Sequence, residues 1–418
     1  MKTMRIRYSI STLLFLFIGA SVAAQSLDGY LQLAVENNPS LKAAHLKYEA
    51  ALNVEPQVGG LPDPTLTASA FGTAMTTDMG EERASFELMQ MFPWFGTLEA
   101  RKEVADYKAQ AKYLAYVSAR EQLFLEVKKA YAKLYETEKS IEFQQDNLRI
   151  LNSYYELAMS KFRSGASPMV NVVRVEIAQD AARTQLELLE QSIAPLQAEF
   201  NLLLNREITA KVNLQDTLTL RRVELPEQPT FEGHPSLQQL ESEQLSFETE
   251  KKVAQKEGLP NFGLGVGYIV NAKSSMGMPD MNGKDAIMPM LSVSLPIFRK
   301  KYKASKHEAE LMAQSIELEQ QQQANQFRSE FQQQQYEFNK ANQLLDLYQR
   351  QIKSSERART LLVSSFSSNT GDFEEILRMN QDILAFKVQR LDALKNGFIA
   401  QASMEYLLTS DLIEQQTN

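Results

Sequence analysis

The chain has 418 residues, 44% of them hydrophobic, with three His, one Trp and no Cys. The lack of Cys excludes disulfides, thiolate nucleophiles and Cys-ligated metal sites, and no lipid anchor on an N-terminal Cys is expected. A formal net charge of −8 with no basic run excludes a phosphate-tracking surface, so nucleic acid is not an expected partner.

In chain order, residues 1–24 read as a cleaved export signal. Lys2, Arg5 and Arg7 form its charged start, Ile10 to Ala23 its apolar stretch, and Val22-Ala23-Ala24 the small residues of a cleavage site. The apolar stretch is short of the roughly 20 residues that a membrane helix needs. No later segment is a continuous apolar run of that length. An exported chain of this kind is periplasmic, secreted, or an outer-membrane β-barrel.

The remainder repeats itself once. Asn38-Pro39-Ser40-Leu41 recurs as His234-Pro235-Ser236-Leu237, and Gly60-Leu61-Pro62 as Gly258-Leu259-Pro260. Phe92-Pro93-Trp94-Phe95 recurs as Leu295-Pro296-Ile297-Phe298, and Phe162 and Arg174 recur as Phe366 and Arg378. Ordered matches at a near-constant offset predict a duplication, with repeats over 25–225 and 226–418 joined through Asn213 to Glu232. Each repeat starts with a short helical region (near Pro39 to Val58, and Pro235 to Glu257). Strands are expected near 65–71 and 84–92, then near 261–270 and 288–295. Long helices are expected over 97–161 and 168–205, then 299–364 and 372–412.

The clearest strand places Phe262, Leu264, Val266 and Tyr268 on one face and Gly263, Gly265 and Gly267 on the other. Leu291, Val293 and Leu295 alternate with Ser292 and Ser294; Leu66, Ala68 and Ala70 alternate with Thr65, Thr67 and Ser69. The fourth strand is the least regular, with Met89 and Met91 opposite Phe86 and Leu88. A soluble sandwich would show a polar, charged second face. Here that face is small, which suits the space inside a barrel whose apolar row meets lipid. Four strands cannot close such a barrel, and open edges are not tolerated in hydrocarbon. The chain is therefore expected to oligomerise: two copies supply eight strands and three supply twelve. Phe92, Trp94, Phe95 and Phe298 sit where strand becomes helix and suit a membrane–water interface. The opposite strand ends, Gly72 to Arg83 and Asn271 to Ile287, are expected as outward loops.

Thr97 to Lys161, free of proline, can form one helix of about 98 Å at 1.5 Å per residue. Its counterpart in the second repeat is as long. The returning helices are shorter, and the short helix of each repeat could stack on them to make up the length. Polar stretches such as Gln320 to Gln335 fit solvated faces inside and outside a hollow tube. The hairpins turn at Phe162 to Pro168 and at Phe366 to Asp372. Gly165 and Asn369 suit left-handed backbone there, and Ser167, Thr370 or Asp372 can cap the next helix.

The ordered set of Gly60-Leu61-Pro62-Asp63-Pro64, Phe92-Pro93-Trp94-Phe95-Gly96 and the Phe162-x-x-Gly165 turn resembles the TolC family of outer-membrane efflux proteins over the whole mature chain. The resemblance implies a mainly α protein with a transmembrane β part. It would be a homotrimer with a twelve-stranded β-barrel in outer-membrane lipid, continued by an α-helical barrel in the periplasm. It also implies a passive duct without enzymatic activity or cofactor. The implied partners are a periplasmic adaptor (membrane fusion protein) and an inner-membrane pump, often of the resistance-nodulation-division type. Adaptor contact would fall on the tips, Arg163, Ser164, Gly165, Ala166, Ser368, Asn369, Thr370 and Gly371. The closed pore would narrow at Asp372, Glu374, Glu375 and Arg378, the last standing where the family often has an acid. The Leu61-Pro62-Asp63-Pro64 and Pro93-Trp94-Phe95-Gly96 stretches look most like the heavy-metal branch.

Two Met clusters remain: Met75, Met79, Met89 and Met91, and Met276, Met278, Met281, Met288 and Met290. Thioethers are soft ligands for Cu(I) or Ag(I), and equally they are flexible apolar filler. The candidate soft-metal contacts are Met75, Met79, Met276, Met278 and Met281. His45, His234 and His307 are scattered through helical or linker sequence and read as packing or surface residues. No catalytic constellation is present. The competing readings are a duct for type I protein secretion and, from a different class, a periplasmic coiled-coil scaffold.

Overall fold

The computed structural model describes residues 26–221, 229–368 and 370–409. The expected export signal and Asn369 lie outside these residues. Helices α1 (Leu27–Asn37), α2 (Pro39–Leu52) and α3 (Glu55–Gly59) precede strands β1 (Thr65–Thr77) and β2 (Gly80–Phe92). Helices α4 (Thr97–Arg163) and α5 (Met169–Leu203) follow. After the connecting segment come α6 (Pro235–Glu257), β3 (Asn261–Ala272), β4 (Ala286–Ser294), α7 (Lys300–Ser367) and α8 (Phe373–Leu407).

The strands form one antiparallel sheet in the order β1-β2-β3-β4. Edges β1 and β4 have no partner strand within the described chain. The expected loop from Gly72 to Arg83 is instead mostly strand: β1 runs on to Thr77 and β2 begins at Gly80. A register shift between Ala70 and Met75 absorbs the break at Phe71-Gly72. The β-branched Thr73, Thr76 and Thr77 then sustain the strand. Asp78 and Met79 make the turn, and Gly80 supplies the positive φ of 119° that it needs.

Helix α4 has 67 residues and α7 has 68, so each is about 100 Å long. Gly96, with φ 74°, turns the chain out of the sheet into α4. A side chain there would meet the Lys256 Nζ, which donates to the Phe95 carbonyl at 3.2 Å. Acidic Glu99 begins α4, and basic Lys161 and Arg163 end it, in agreement with the helix dipole.

Short and returning helices are welded end to end along the long ones. Asn38 caps α2, its Oδ1 accepting from the Ser40 and Leu41 N–H groups at 3.0 and 3.1 Å. Its Nδ2 donates to the Leu203 carbonyl at the end of α5 at 3.0 Å. His234 caps α6 in the second half, its Nδ1 accepting from the Ser236 N–H at 3.2 Å. Its ring packs between Phe327 and Tyr406, at centroid distances of 4.5 and 5.1 Å. Burial pushes this imidazole down to about 4, opposed in part by the Tyr406 backbone. A neutral ring is what the cap requires, since a protonated Nδ1 cannot accept.

Three apolar clusters hold the helices. One, around Tyr30, Tyr131, Phe200 and Leu204, sits where α1 and the end of α5 meet the middle of α4. A second, around Phe231, Phe327, Phe331 and Met404, lies in the second half. The third is at the hairpin tips. Between the first and third, the buried Asn380 Nδ2 donates to the Asn147 Oδ1 at 2.8 Å, pinning α8 against α4 through a polar pair.

Candidate functional site

The ends of the two hairpins fold as one unit. Leu151, Tyr154 and Ala158 of α4, Val172 and Val175 of α5, Phe366 of α7, and Phe373 and Ile376 of α8 form a single cluster. Phe373 is its centre, fully buried, edge-on to Tyr154 at 6.3 Å and against Phe366 at 4.9 Å. At this end, polar contacts also tie one hairpin to the other. The Lys161 Nζ donates to the Ser367 carbonyl at 2.7 Å, and Arg174 pairs with Glu374 at 2.9 Å.

The turns themselves project beyond this cluster. In the first, the Gly165 N–H donates to the Phe162 carbonyl and the Ala166 N–H to the Lys161 carbonyl, both at 2.9 Å. Gly165 takes the left-handed conformation (φ 75°) that such a helix end requires, and nothing lies within 4 Å of where its Cβ would be. Arg163, Ser164, Gly165 and Ala166 are all exposed. Ser167 does not cap α5, because Pro168 holds the cap position. The Ser167 Oγ accepts instead from the Asn171 Nδ2 at 2.9 Å. In the second turn, the Thr370 N–H donates to the Ser365 carbonyl at 3.0 Å, and Asp372 caps α8 by accepting from the Glu374 N–H at 2.9 Å. Ser368 and Thr370 are exposed and Gly371 half-buried. Asn369 lies outside the described residues.

Asp372 at the cap of α8 and Glu374, Glu375 and Arg378 in its first two turns are all exposed. Three acids and one base give this stretch a net negative charge within the first two turns. The same end of α5 is unlike it, with Met169, Val170, Val173 and Ile177 exposed.

At the other end of the molecule, the apolar side of the sheet is open. Leu66, Phe86, Leu88, Leu264, Val266, Tyr268, Ile287, Leu291 and Val293 are all exposed and share that side through the pairings Leu66–Leu88–Val266 and Phe86–Tyr268–Ile287. Phe95 and Phe298 stand out at the strand–helix junction, 79% and 80% exposed. Trp94 is half-buried and stacks on Phe262 at 5.8 Å, while Phe92 pairs with Phe262 across the sheet.

The opposite side differs from its sequence reading. The glycine row of β3 does not leave empty space: Met89 and Met91 lie over Gly263 and Gly265, and Met288 over Gly267. Strand register brings these side chains in from β2 and β4, which no single-strand pattern reveals. Met75 near the end of β1 and Met276, Met278 and Met281 in the β3–β4 loop are exposed. The Met278 N–H donates to the Asp78 carbonyl at 2.9 Å and the Gly283 N–H to the Met79 carbonyl at 2.7 Å, so the two loops touch through backbone.

Residues 30–206 match the model of the family described as Outer membrane efflux protein. No curated protein matches the sequence. The fold is shared with solved structures at low sequence identity. The outer membrane protein VceC of Vibrio cholerae has a TM-score of 0.73 and 16% identity, with 92% of this chain and 96% of that one covered. For CusC, which forms a transmembrane channel, the values are 0.77 and 17%, with 92% of each chain covered. For the Campylobacter jejuni CmeC outer membrane channel they are 0.73 and 15%, with 94% and 89% covered. The chain therefore has the fold of the TolC-like outer-membrane channels.

Proposed function

We propose that this chain is the outer-membrane channel of a tripartite efflux system, a passive exit duct for substrates delivered by an inner-membrane pump through a periplasmic adaptor. One observation carries the reading: a four-stranded sheet with an apolar outer side and two unpaired edges continues directly into helices about 100 Å long. Unpaired strand edges cost several kcal/mol per lost hydrogen bond in hydrocarbon. Three copies, each pairing β1 with the β4 of the next, would make a closed twelve-stranded barrel. The helices would then hang below it in the periplasm. We read 25–225 and 226–418 as two structural repeats of one ancestral unit.

In this reading Phe92, Trp94, Phe95 and Phe298 mark the inner edge of the outer membrane. The turns at 163–166 and 368–371 meet the adaptor, and Asp372, Glu374, Glu375 and Arg378 line the narrow end of the duct. Three copies of that acidic face would focus a negative potential on the axis. Export by a cleaved leader without a lipid anchor, and a pump of the resistance-nodulation-division type, complete the proposal. An exposed apolar sheet face argues against a water-soluble coiled-coil scaffold.

Planar bilayers containing the purified full chain test the reading. The expected result is a cation-selective conductance, raised when the tip is loosened. Purification as a soluble monomer without detergent, with no conductance, would remove it.

A further inference from the structure

The side of the sheet facing away from lipid carries an arrangement that the duct alone does not require. Cross-strand register sets it in three rows: Met91–Gly263–Ser292, Met89–Gly265–Met290, and Glu87–Gly267–Met288. A column of bare glycine backbone is thus flanked by side chains from β2 and β4. The two flanks are two strand spacings, roughly 10 Å, apart. Nothing on β3 stands between them, so thioethers from either flank can lean over the glycines towards one another.

They do so. The place that a Cβ on Gly263 would occupy lies 2.6 Å from the Met91 Sδ and 3.1 Å from the Met89 Sδ. The place on Gly265 lies 3.1 Å from the Met89 Sδ, and that on Gly267 lies 3.3 Å from the Met288 Cε. Two sulfurs therefore converge on one small volume. Met288 leans over the trough four strand residues further along, at Gly267, and Met290 lies opposite Met89 in the central row. Glu87, on the same side, adds one carboxylate.

We propose that this glycine-floored trough is a binding site for a soft monovalent cation, Cu(I) or Ag(I), with Met89 and Met91 as its sulfur pair and Met290 and Met288 as further thioethers along the trough. Neutral, polarisable sulfur favours soft d¹⁰ cations over Mg(II), Ca(II) or Zn(II), which prefer oxygen, imidazole or thiolate. Thioethers carry no charge and need no deprotonation, so the site neither titrates near neutral pH nor holds its ion as a thiolate would. Weak, repeated contacts of this kind suit an ion that must leave again. The glycines are the second requirement: any side chain at 263 would occupy the volume in which the sulfurs meet. The site exists in each copy and does not need the barrel to be closed. Its meaning as a station for cargo does rest on the duct reading.

The test uses the detergent-purified full chain, silver nitrate in chloride-free buffer, titration calorimetry and X-ray absorption at the silver edge. Wild type should bind Ag(I) with sulfur in the first shell. The variant Met89→Leu/Met91→Leu/Met288→Leu/Met290→Leu keeps side-chain volume and should lose at least tenfold in affinity. The loop variant Met75→Leu/Met79→Leu/Met276→Leu/Met278→Leu/Met281→Leu should stay within twofold of wild type. Gly263→Ala retains every sulfur, meets the Met91 and Met89 sulfurs and the Ser292 Cβ, and should weaken binding by filling the floor. Equal affinity in wild type and the four-Met variant, or silver bound only through nitrogen and oxygen, would mean that these methionines merely fill space. Bilayer conductance, measured on the same samples, reports the duct separately, so either reading can fail while the other stands.

Discussion

The two halves share an order of elements but end in opposite ways. Phe162 and Phe366 occupy equivalent places before the turns, yet Phe162 is 40% exposed and Phe366 is 6% exposed, packed on Phe373. After the first turn the open side of α5 exposes Met169, Val170, Val173 and Ile177 beside a single acid, Glu176. After the second, the open side of α8 is acidic. One tip presents a surface that gains by being covered, whereas the other buries its aromatic residue and turns its charge outward. Two turns at equivalent places thus present different surfaces, which the proposed duct reading assigns to an outer contact and an inner constriction.

Substitutions at the tip phenylalanines would break this comparison with the largest effect. Phe373→Ala removes the centre of the tip cluster and should cost about 3–5 kcal/mol locally. Hydrogen exchange should show 148–178 and 360–380 opening together, and bilayer conductance should rise. Phe162→Ala should leave exchange at the tip within about 0.5 kcal/mol of wild type while weakening capture of the adaptor. If both substitutions open the tip equally, the two ends are not distinct.

The welds between helices sharpen the comparison through pH. Asn38 cannot titrate, but His234 can. Above pH 6.5 the imidazole is neutral whether the chain is folded or not, and it adds no pH dependence. As pH falls from 6.5 towards 4, the unfolded chain takes up a proton that the folded ring refuses, so stability drops. The loss should approach roughly 3 kcal/mol and level off below that window. Urea melts of the second-half helices should show it, and His234→Asn, which copies the first-half weld, should flatten it.

Glycines at the two turns differ in the same sense. Gly165→Trp places its ring in open space and strains only one left-handed residue, about 1 kcal/mol. It should spare assembly and impair adaptor coupling. A Cβ on Gly371 would sit 2.9 Å from the Phe366 backbone nitrogen, so Gly371→Ala should disturb the second turn by roughly 1–3 kcal/mol. The smallest stability effect belongs to Arg174–Glu374, an exposed pair worth at most about 1 kcal/mol. Neutralising Asp372, Glu374 and Glu375 should scarcely move the melting point but should lower cation selectivity in bilayers.

Much of this plan is legible in the sequence because its signals are local. Alternation at Phe262 to Tyr268 marks a strand. The absence of proline from Phe95 to Pro168 allows a long helix, and Gly165 marks a turn. What is not legible depends on partners far along the chain. Asn38 reaches a carbonyl 165 residues away, and Asn147 meets Asn380 across 233. The convergence of Met89 and Met91 over Gly263 depends on the register between β2 and β3, which one strand's alternation cannot supply. Identical letters at Phe162 and Phe366 likewise conceal opposite burial, since burial is decided by what α8 and α5 bring to each.

The most direct test uses the chain's own lack of Cys, which makes an engineered pair the only thiols present. Single Cys residues are placed on each free edge, Thr67→Cys or Ser69→Cys on β1 together with Ser292→Cys or Ser294→Cys on β4, and the outer-membrane fraction is oxidised. Edge-to-edge closure by three copies should yield a covalent product of three times the chain mass for at least one pair, dissolved by reductant. Only monomer across all the pairs, from protein that is folded and in the membrane, would contradict the shared barrel.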